Sequence, residues 1–329
     1  MLYLPDPNFF LYMYIRNEAV LSSQIEGTQS TLSDLLLFEH EGTPSVPLAD
    51  VVEVSAYVRA LNHGVARLAE LPLSMRLLGE VHRELLTGTR GGDKSPGAIR
   101  VTQNWIGGSM PGNAHYVPPP PHLLGELLSN LEKFLNDEPA RTRPLLKAGL
   151  THAQFETIHP FLDGNGRLGR LLITLLLVSE KMLGSPLLYL SLHFKEHKDE
   201  YYERLQRVRT HGEWLPWLEF FFAGVESVSQ RASDNVVALM ALFRQHEQAI
   251  VDRGGRGVST MLRVFKIAKN EAVVAIPTAV KRLGLTHPSV SAAVKALVEL
   301  GILVEVTGKA RDRRYLYKDY VTQLSKGLK

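Results

Sequence analysis

Apolar residues recur three and four positions apart through most of the chain, a spacing that stacks them on one face of an α-helix. Leu123, Leu124, Leu127, Leu128, Leu131 and Phe134 form one such stripe, which predicts a helix from about His122. The same period runs through 148–158, breaks at His159-Pro160 and resumes over 168–183 after a glycine-rich turn. It returns in a long segment, 214 to about 248, that carries Trp217, Phe220, Phe221, Phe222 and Val225. Little before residue 300 alternates with the period of two that marks a strand, so a mainly α protein is expected. The exception is 101–121, where β-branched and aromatic residues mix with Gly107, Gly108, Pro111 and Gly112. Four prolines, Pro118 to Pro121, close it. Proline cannot donate to a ladder and bars a helix, so this stretch reads as a β-hairpin flap ending in a stiff segment. A loop with Gly91, Gly92, Asp93 and Pro96 precedes it.

Residues 252–258, Asp-Arg-Gly-Gly-Arg-Gly-Val, form a glycine-rich linker and the clearest domain boundary. Beyond it the chain reads as helix, helix over 276–285, turn at Thr286-His-Pro288 and helix over 289–300 ended by Gly301. Strand, basic turn and strand follow over 302–317. This is the outline of a winged helix-turn-helix, with Ser289 opening the recognition helix and 309–314 forming the wing.

Composition bounds the class. Of 329 residues, 45% are hydrophobic and 22% charged, an ordinary globular balance with room for two or three domains. Absence of Cys excludes disulfide and metal-thiolate scaffolds and fits a reducing compartment. The first residues lack the charged and apolar regions of a secretory signal, and the most apolar run, 171–178, is far short of the roughly 20 residues that span a bilayer. A cytoplasmic protein without membrane contact is expected. The net charge of +3 conceals an asymmetry: residues 256–329 hold 14 Lys/Arg against 5 Asp/Glu, leaving an acidic body ahead of a basic tail. The tail would suit DNA phosphates, with Ser289, Ser291 and Lys295 facing a groove. Its Ala- and Val-rich recognition helix would equally suit dimerisation or docking.

The densest chemistry lies in His159-Pro-Phe-Leu-Asp-Gly-Asn-Gly-Arg-Leu-Gly-Arg170. Gly164 and Gly166 admit conformations closed to other residues and let a ligand approach the main chain. They fall where a helix must begin, so unpaired N–H groups and the positive end of its dipole face one point. Arg167 and Arg170, three apart, share the first turns and can each fork onto phosphate oxygens. Asp163 adds a hard carboxylate suited to Mg²⁺ bridging phosphates, and His159 is a side chain able to take a proton near neutral pH. Each has an ordinary structural reading alone, since Gly-Asn-Gly is a common turn. Together within twelve residues they form a phosphoryl- or nucleotidyl-transfer constellation, and it is not a Walker loop.

His159-Pro-Phe-x-Asp-Gly-Asn-Gly-Arg-x-x-Arg170 matches in full the signature of the Fic (Fic/Doc) family, and the chain resembles that family over most of its length. The resemblance implies a Fic-type helical bundle with a β-hairpin flap, and AMP transfer from ATP to a protein Ser, Thr or Tyr hydroxyl. His159 would deprotonate that hydroxyl, Asp163 would hold Mg²⁺, and Gly164, Asn165 and Gly166 would cradle phosphates. Arg167 and Arg170 would bind the distal phosphates, with Leu168 and Gly169 counted in the same ATP-binding segment. The flap, ending in Tyr116-Val-Pro-Pro-Pro-Pro121, resembles the family's target-docking hairpin, to which a substrate segment adds as a strand. His115, Tyr116 and Val117 are its candidate contacts. Tyr201-Tyr202 resembles the region closing the adenosine side, with Tyr201 the candidate. Some relatives carry Asn where Arg209 stands, so nucleobase contacts do not carry over.

Ser22-Ser-Gln-Ile-Glu26-Gly27 fits the family's inhibitory pattern, [Ser/Thr]-x-x-x-Glu-[Gly/Asn], and 17–28 resembles its inhibitory segment throughout. The resemblance implies that Glu26 forms a bidentate ion pair with Arg170 where a γ-phosphate would lie, leaving ATP in an unproductive pose. In some relatives the same Glu directs a water for AMP removal. The chain thus resembles the class whose inhibitory helix precedes the catalytic domain in the same chain, and relatives of this class usually carry further helical sequence ahead of the segment that begins here at Met1. The expected layout is a 1–72 inhibitory region, a 73–250 catalytic domain with trailing helices and a 251–329 winged helix. An autoinhibited protein adenylyltransferase, self-modifying and homodimeric, is the leading expectation. The rivals are a DNA-binding regulator with a vestigial or sensory Fic domain and an enzyme moving a different nucleotide part.

Overall fold

The computed structural model describes residues 7–41, 47–309 and 311–326. Its elements run α1 (Pro7–Ile25), α2 (Leu32–Glu41), α3 (Leu48–Arg67), α4 (Met75–Leu86), α5 (Leu124–Leu135), α6 (Pro144–Ile158), α7 (Asn165–Ser179), α8 (Ser191–Glu196), α9 (Lys198–His211), α10 (Trp214–Arg253), α11 (Val258–Glu271), β1 (Val273–Ala275), α12 (Ile276–Leu283), α13 (His287–Glu299), β2 (Val304–Glu305), β3 (Arg314–Leu316) and α14 (Lys318–Leu324). None of the described helices is long and apolar enough to cross a membrane. The chain forms two compact units: Glu18–Ser30 with Val46–Val228, and Met1–Asn17 with Thr31–Ser45 and Ser229–Lys329.

In the first unit α7 is the central element. Leu168, Leu171, Leu172, Leu175 and Leu176 are all buried, so this helix is covered on every side, by α3, α4 and α6 among others. It begins at Asn165, earlier than the apolar period alone suggests, because Gly164 takes a left-handed conformation (φ 76°) and turns the chain into the helix immediately. A ring cluster of His152, Phe194, Tyr201 and Trp217 packs beside it. α5 starts at Leu124, two residues later than expected, after a 3₁₀ turn over Pro121–Leu123.

The flap is less regular than a hairpin. Its arms are joined by a single antiparallel bridge, Ile106 with Tyr116. Gly107 and Gly108 have positive φ, a 3₁₀ turn occupies Pro111–Asn113, and the prolines after Val117 supply no ladder donors. Backbone pairing therefore stops after one rung.

In the second unit β1, β3 and β2 form an antiparallel sheet in that order, registered Val273 to Leu316 and Val304 to Leu316. α12 ends at Gly284 (φ 64°) and α13 opens at His287, not Ser289. Thr286 is its N-cap, its side chain accepting from the Ser289 N–H. Phe243, Phe265, Tyr317 and Tyr320 interlock as its aromatic core. α10 runs on to Arg253, so the first two residues of the expected linker are helical and the break comes at Gly254 and Gly255.

Candidate active site

The signature forms a turn between two buried helices. α6 ends at Ile158, and His159 follows in a left-handed conformation (φ 50°, ψ 61°) that is unusual for a residue with a Cβ. Asn165 closes the turn with its side chain: its Oδ1 accepts from the Phe161 N–H at 2.9 Å and its Nδ2 donates to the Phe161 carbonyl at 2.8 Å. No side chain caps α7, so its first amides and the positive end of its dipole are left directed at the cleft. Asn165 thus shapes the cradle through its side chain and offers only its backbone to a ligand.

The cleft above that helix end encloses about 440 Å³ and is lined by His159, Asp163 to Arg167, Arg170, Glu26, Glu53, Glu156, Tyr201 and Arg209, among others. Arg170 donates from Nη2 to Glu26 Oε1 at 2.5 Å, from Nε to Ser22 Oγ at 2.9 Å and from Nη2 to the Ser22 carbonyl at 3.0 Å. The expected two-pronged ion pair is therefore a single carboxylate contact, because Ser22, one helical turn earlier, takes the Nε prong. Burial pushes the Glu26 carboxyl up, but the Arg170 guanidinium outweighs it and holds the group below the usual range. Gly166 lies directly under that carboxylate, and a methyl there would collide with it. Glu26 sits over the anion cradle itself.

Arg167 has a carboxylate partner that the motif does not reveal. Its Nη1 lies 3.3 Å from Glu53 Oε2 on α3, and its Nη2 lies 3.6 Å from Asp163 Oδ1. Glu53 also pairs with Arg90 at 2.5 Å. Both signature arginines are held by acids from the N-terminal segment, Glu26 just past α1 and Glu53 on α3.

The His159 ring has its Nδ1 3.3 Å from the Glu156 carbonyl, which can only accept, so Nδ1 carries the hydrogen and Nε2 keeps a lone pair. Burial, and then the charge on Arg209, push its pKa down to about 4, so the imidazole is neutral around pH 7. Glu156 Oε2 lies 3.7 Å from Nδ1, and burial pushes that carboxyl up to about 7. The flap is fastened alongside: Tyr116 donates to the Thr157 carbonyl at 3.0 Å, and the Arg209 guanidinium lies 4.2 Å from its ring centroid. His115 and Val117 are exposed on the flap.

Asp163 fits a magnesium ion that arrives with phosphates. It is a hard oxygen donor, 43% exposed, beside the cradle, and the described residues contain no cluster of three or more such ligands that would form an all-protein cage. Its main chain is fixed by His82, whose Nδ1 accepts from the Gly97 N–H and whose Nε2 donates to the Asp163 carbonyl at 2.9 Å. Tyr201 lines the cleft but is buried, its hydroxyl bound to His152 at 2.8 Å. Leu168 and Gly169 do not line it: Leu168 is core, and the Gly169 carbonyl accepts from His152. Glu53, His82, Glu156 and Arg90 carry no motif signal, because the residues they meet are distant in sequence or belong to a different pattern.

A helix-end anion cradle, two arginines and a neutral histidine under a flap define a class of helical proteins built around one short turn. Residues 1–66 match the family described as Fic/DOC family N-terminal and residues 72–177 the Fic/DOC family, together about half of the sequence. The chain belongs to the Fic/DOC family. It is 30% identical over 199 residues to the Caenorhabditis elegans protein adenylyltransferase fic-1, covering 57% of this chain and 35% of that protein. To the Culex quinquefasciatus protein adenylyltransferase Fic it is 34% identical over 152 residues, covering 45% and 27%. The chain thus spans about a third or less of the length of these curated relatives. Among solved structures, a Fic family protein from Desulfovibrio desulfuricans G20 superimposes with a TM-score of 0.57 at 19% identity, covering 92% of this chain and 86% of that one. Caenorhabditis elegans Fic-1 gives 0.52 at 26%, covering 69% and 62%.

Proposed function

We propose that the chain is an autoinhibited protein adenylyltransferase that moves AMP from ATP to Ser, Thr or Tyr hydroxyls of protein targets and of itself. The observation that carries this reading is Glu26 on Arg170, an acid lying over the anion cradle of a turn whose histidine is neutral. With Glu26 withdrawn, the α7 amides and the two arginines receive the triphosphate. His159 Nε2 takes the proton of the target hydroxyl, that oxygen attacks the α-phosphorus in line, and the bond to the β-phosphate oxygen breaks to release pyrophosphate. Asp163 would hold Mg²⁺, which supplies charge neutralisation to the phosphates. The same Glu26 could direct water onto a modified hydroxyl, giving the reverse reaction.

The test is labelling with α- and γ-labelled ATP. Glu26→Gly should raise α-label on the protein at least tenfold, and adding His159→Ala should abolish it. Retained γ-label would mean phosphate transfer, and no label under either condition would overturn the reading. A cytoplasmic setting, homodimerisation and a winged helix in the basic C-terminal residues belong to the same proposal. The succession α12, turn, α13 and β-hairpin supports the last, and its basic turn supports DNA as a further partner.

A further inference from the structure

Arg100 lies outside the signature, before the flap, and is only 2% exposed. Among the described residues no carboxylate is within ion-pair distance of it; its donors go to carbonyls instead. Nε donates to the His159 carbonyl at 2.9 Å, Nη1 to Thr102 at 3.1 Å, and Nη2 to Pro119 and, at 3.5 Å, to Ile158. Its own N–H donates to the Pro160 carbonyl at 2.9 Å. A buried cation is expensive unless compensated. Here the compensation is the carbonyl end of α6, the negative pole of that helix, together with one carbonyl from each arm of the flap.

These bonds meet at the strained residue. A left-handed conformation is disfavoured for a residue with a Cβ, and His159 is held in it from both sides. Its N–H donates to Phe155, and its carbonyl accepts from Arg100 and, at 3.3 Å, from Asn104 Nδ2. We infer that Arg100 is a positioning residue that fastens both arms of the flap to the backbone of His159, so that a target strand seated on the flap arrives in register with the base. This rests on the proposed role of His159. Arg100 also contributes, with Arg209 on α9, to the positive surroundings of the imidazole, opposed by Glu26 just past the end of α1 and by the Glu156 carbonyl on α6, whose carboxyl lies 3.7 Å from Nδ1. Removing its charge should therefore ease protonation of His159, whereas lysine should preserve the charge but bridge fewer carbonyls.

The experiment uses the full chain carrying Glu26→Gly, with Arg100→Gln and Arg100→Lys added separately. Initial self-labelling rates are measured against ATP concentration, His159 titration is followed by NMR of labelled imidazole, and amide exchange is followed across 102–119. Expected for Arg100→Gln are a turnover loss of at least tenfold, a half-saturating ATP concentration within twofold of the parent, an upward shift in His159 titration and faster flap exchange. Arg100→Lys should show an intermediate turnover and an unshifted titration, and serves if the Gln variant does not fold. For Arg100→Gln, turnover within twofold of the parent, or unchanged titration and flap exchange, overturns the proposal; for Arg100→Lys, turnover and flap exchange both equal to the parent's overturn it. If the parent itself transfers no AMP, the function reading fails; titration and exchange, which need no turnover, still decide whether Arg100 fastens flap and histidine together.

Discussion

At the residue scale, the site combines groups displaced from their ordinary ranges by burial. His159 is pushed down to about 4 and Glu156 up to about 7. The Glu156 side chain packs against Gly169, where a methyl would lie 2.6 Å from Oε1, and that oxygen has no hydrogen-bond partner among the described residues. A carboxyl whose folded value lies above its unfolded value near 4.5 holds its proton more tightly when folded. Its contribution to stability is complete below the unfolded value and is lost as pH rises through about 7. Glu156→Gln should therefore flatten the fall in unfolding free energy between pH 5 and 8, by on the order of 1 kcal/mol per pH unit at most. Urea unfolding of parent and variant at four pH values checks this, and parallel curves would refute it. Glu18, also raised to about 7 by burial, stays in both proteins and cancels in the comparison.

At the element scale, the end of α1 explains why a glycine follows Glu26. The Thr28 N–H donates to the Ser23 carbonyl and the Gly27 N–H to the Gln24 carbonyl, a Schellman ending with Gly27 left-handed at φ 101°. Glu26 is thus the last residue before the chain turns away. Lys198 Nζ fixes the helix end by donating to the Ile25 carbonyl at 2.7 Å. Among the described residues nothing beyond its chain neighbours lies within 4 Å of a Cβ built on Gly27, so Gly27→Ala would act through backbone strain, roughly 1–2 kcal/mol. It should raise basal self-labelling up to about tenfold, less than Glu26→Gly, without lowering ATP affinity; an unchanged rate would show that the turn does not hold the acid. The pattern Glu26-Gly27, the signature turn and the helix after it are legible in sequence, since each is encoded within a few neighbouring residues; the helix ending at Gly27 is not. Glu53 and Arg100 were not. Glu53 meets Arg167 across more than a hundred residues, and the role of Arg100 depends on where the flap folds back. Nor did the strand-like composition of the flap yield a ladder, because glycine conformations and prolines limit it to one rung.

At the scale of the whole molecule, periodicity orders the helices but carries no signal for which distant segments share a core. The unit built on residues 229–329 also gathers 1–17 and 31–45; within it, Asn17 Nδ2 donates to the Leu324 carbonyl at 3.2 Å and Arg16 pairs with Glu39 at 2.7 Å. Charge is legible at this scale, because it needs only a count. The positive excess of 256–329 includes the exposed Lys295 on α13 and Arg311 in the turn between β2 and β3. If these residues contact DNA phosphates, each contact releases counterions, and log K falls with log salt at about 0.9 per phosphate. The full chain should then retard duplex DNA at low salt, and Lys295→Ala with Arg311→Ala should reduce the salt slope by about 2 while leaving α-label transfer unchanged. Gel retardation over a salt series distinguishes the alternatives. Loss of slope assigns the basic residues to nucleic acid, whereas no retardation at the lowest salt overturns the DNA reading.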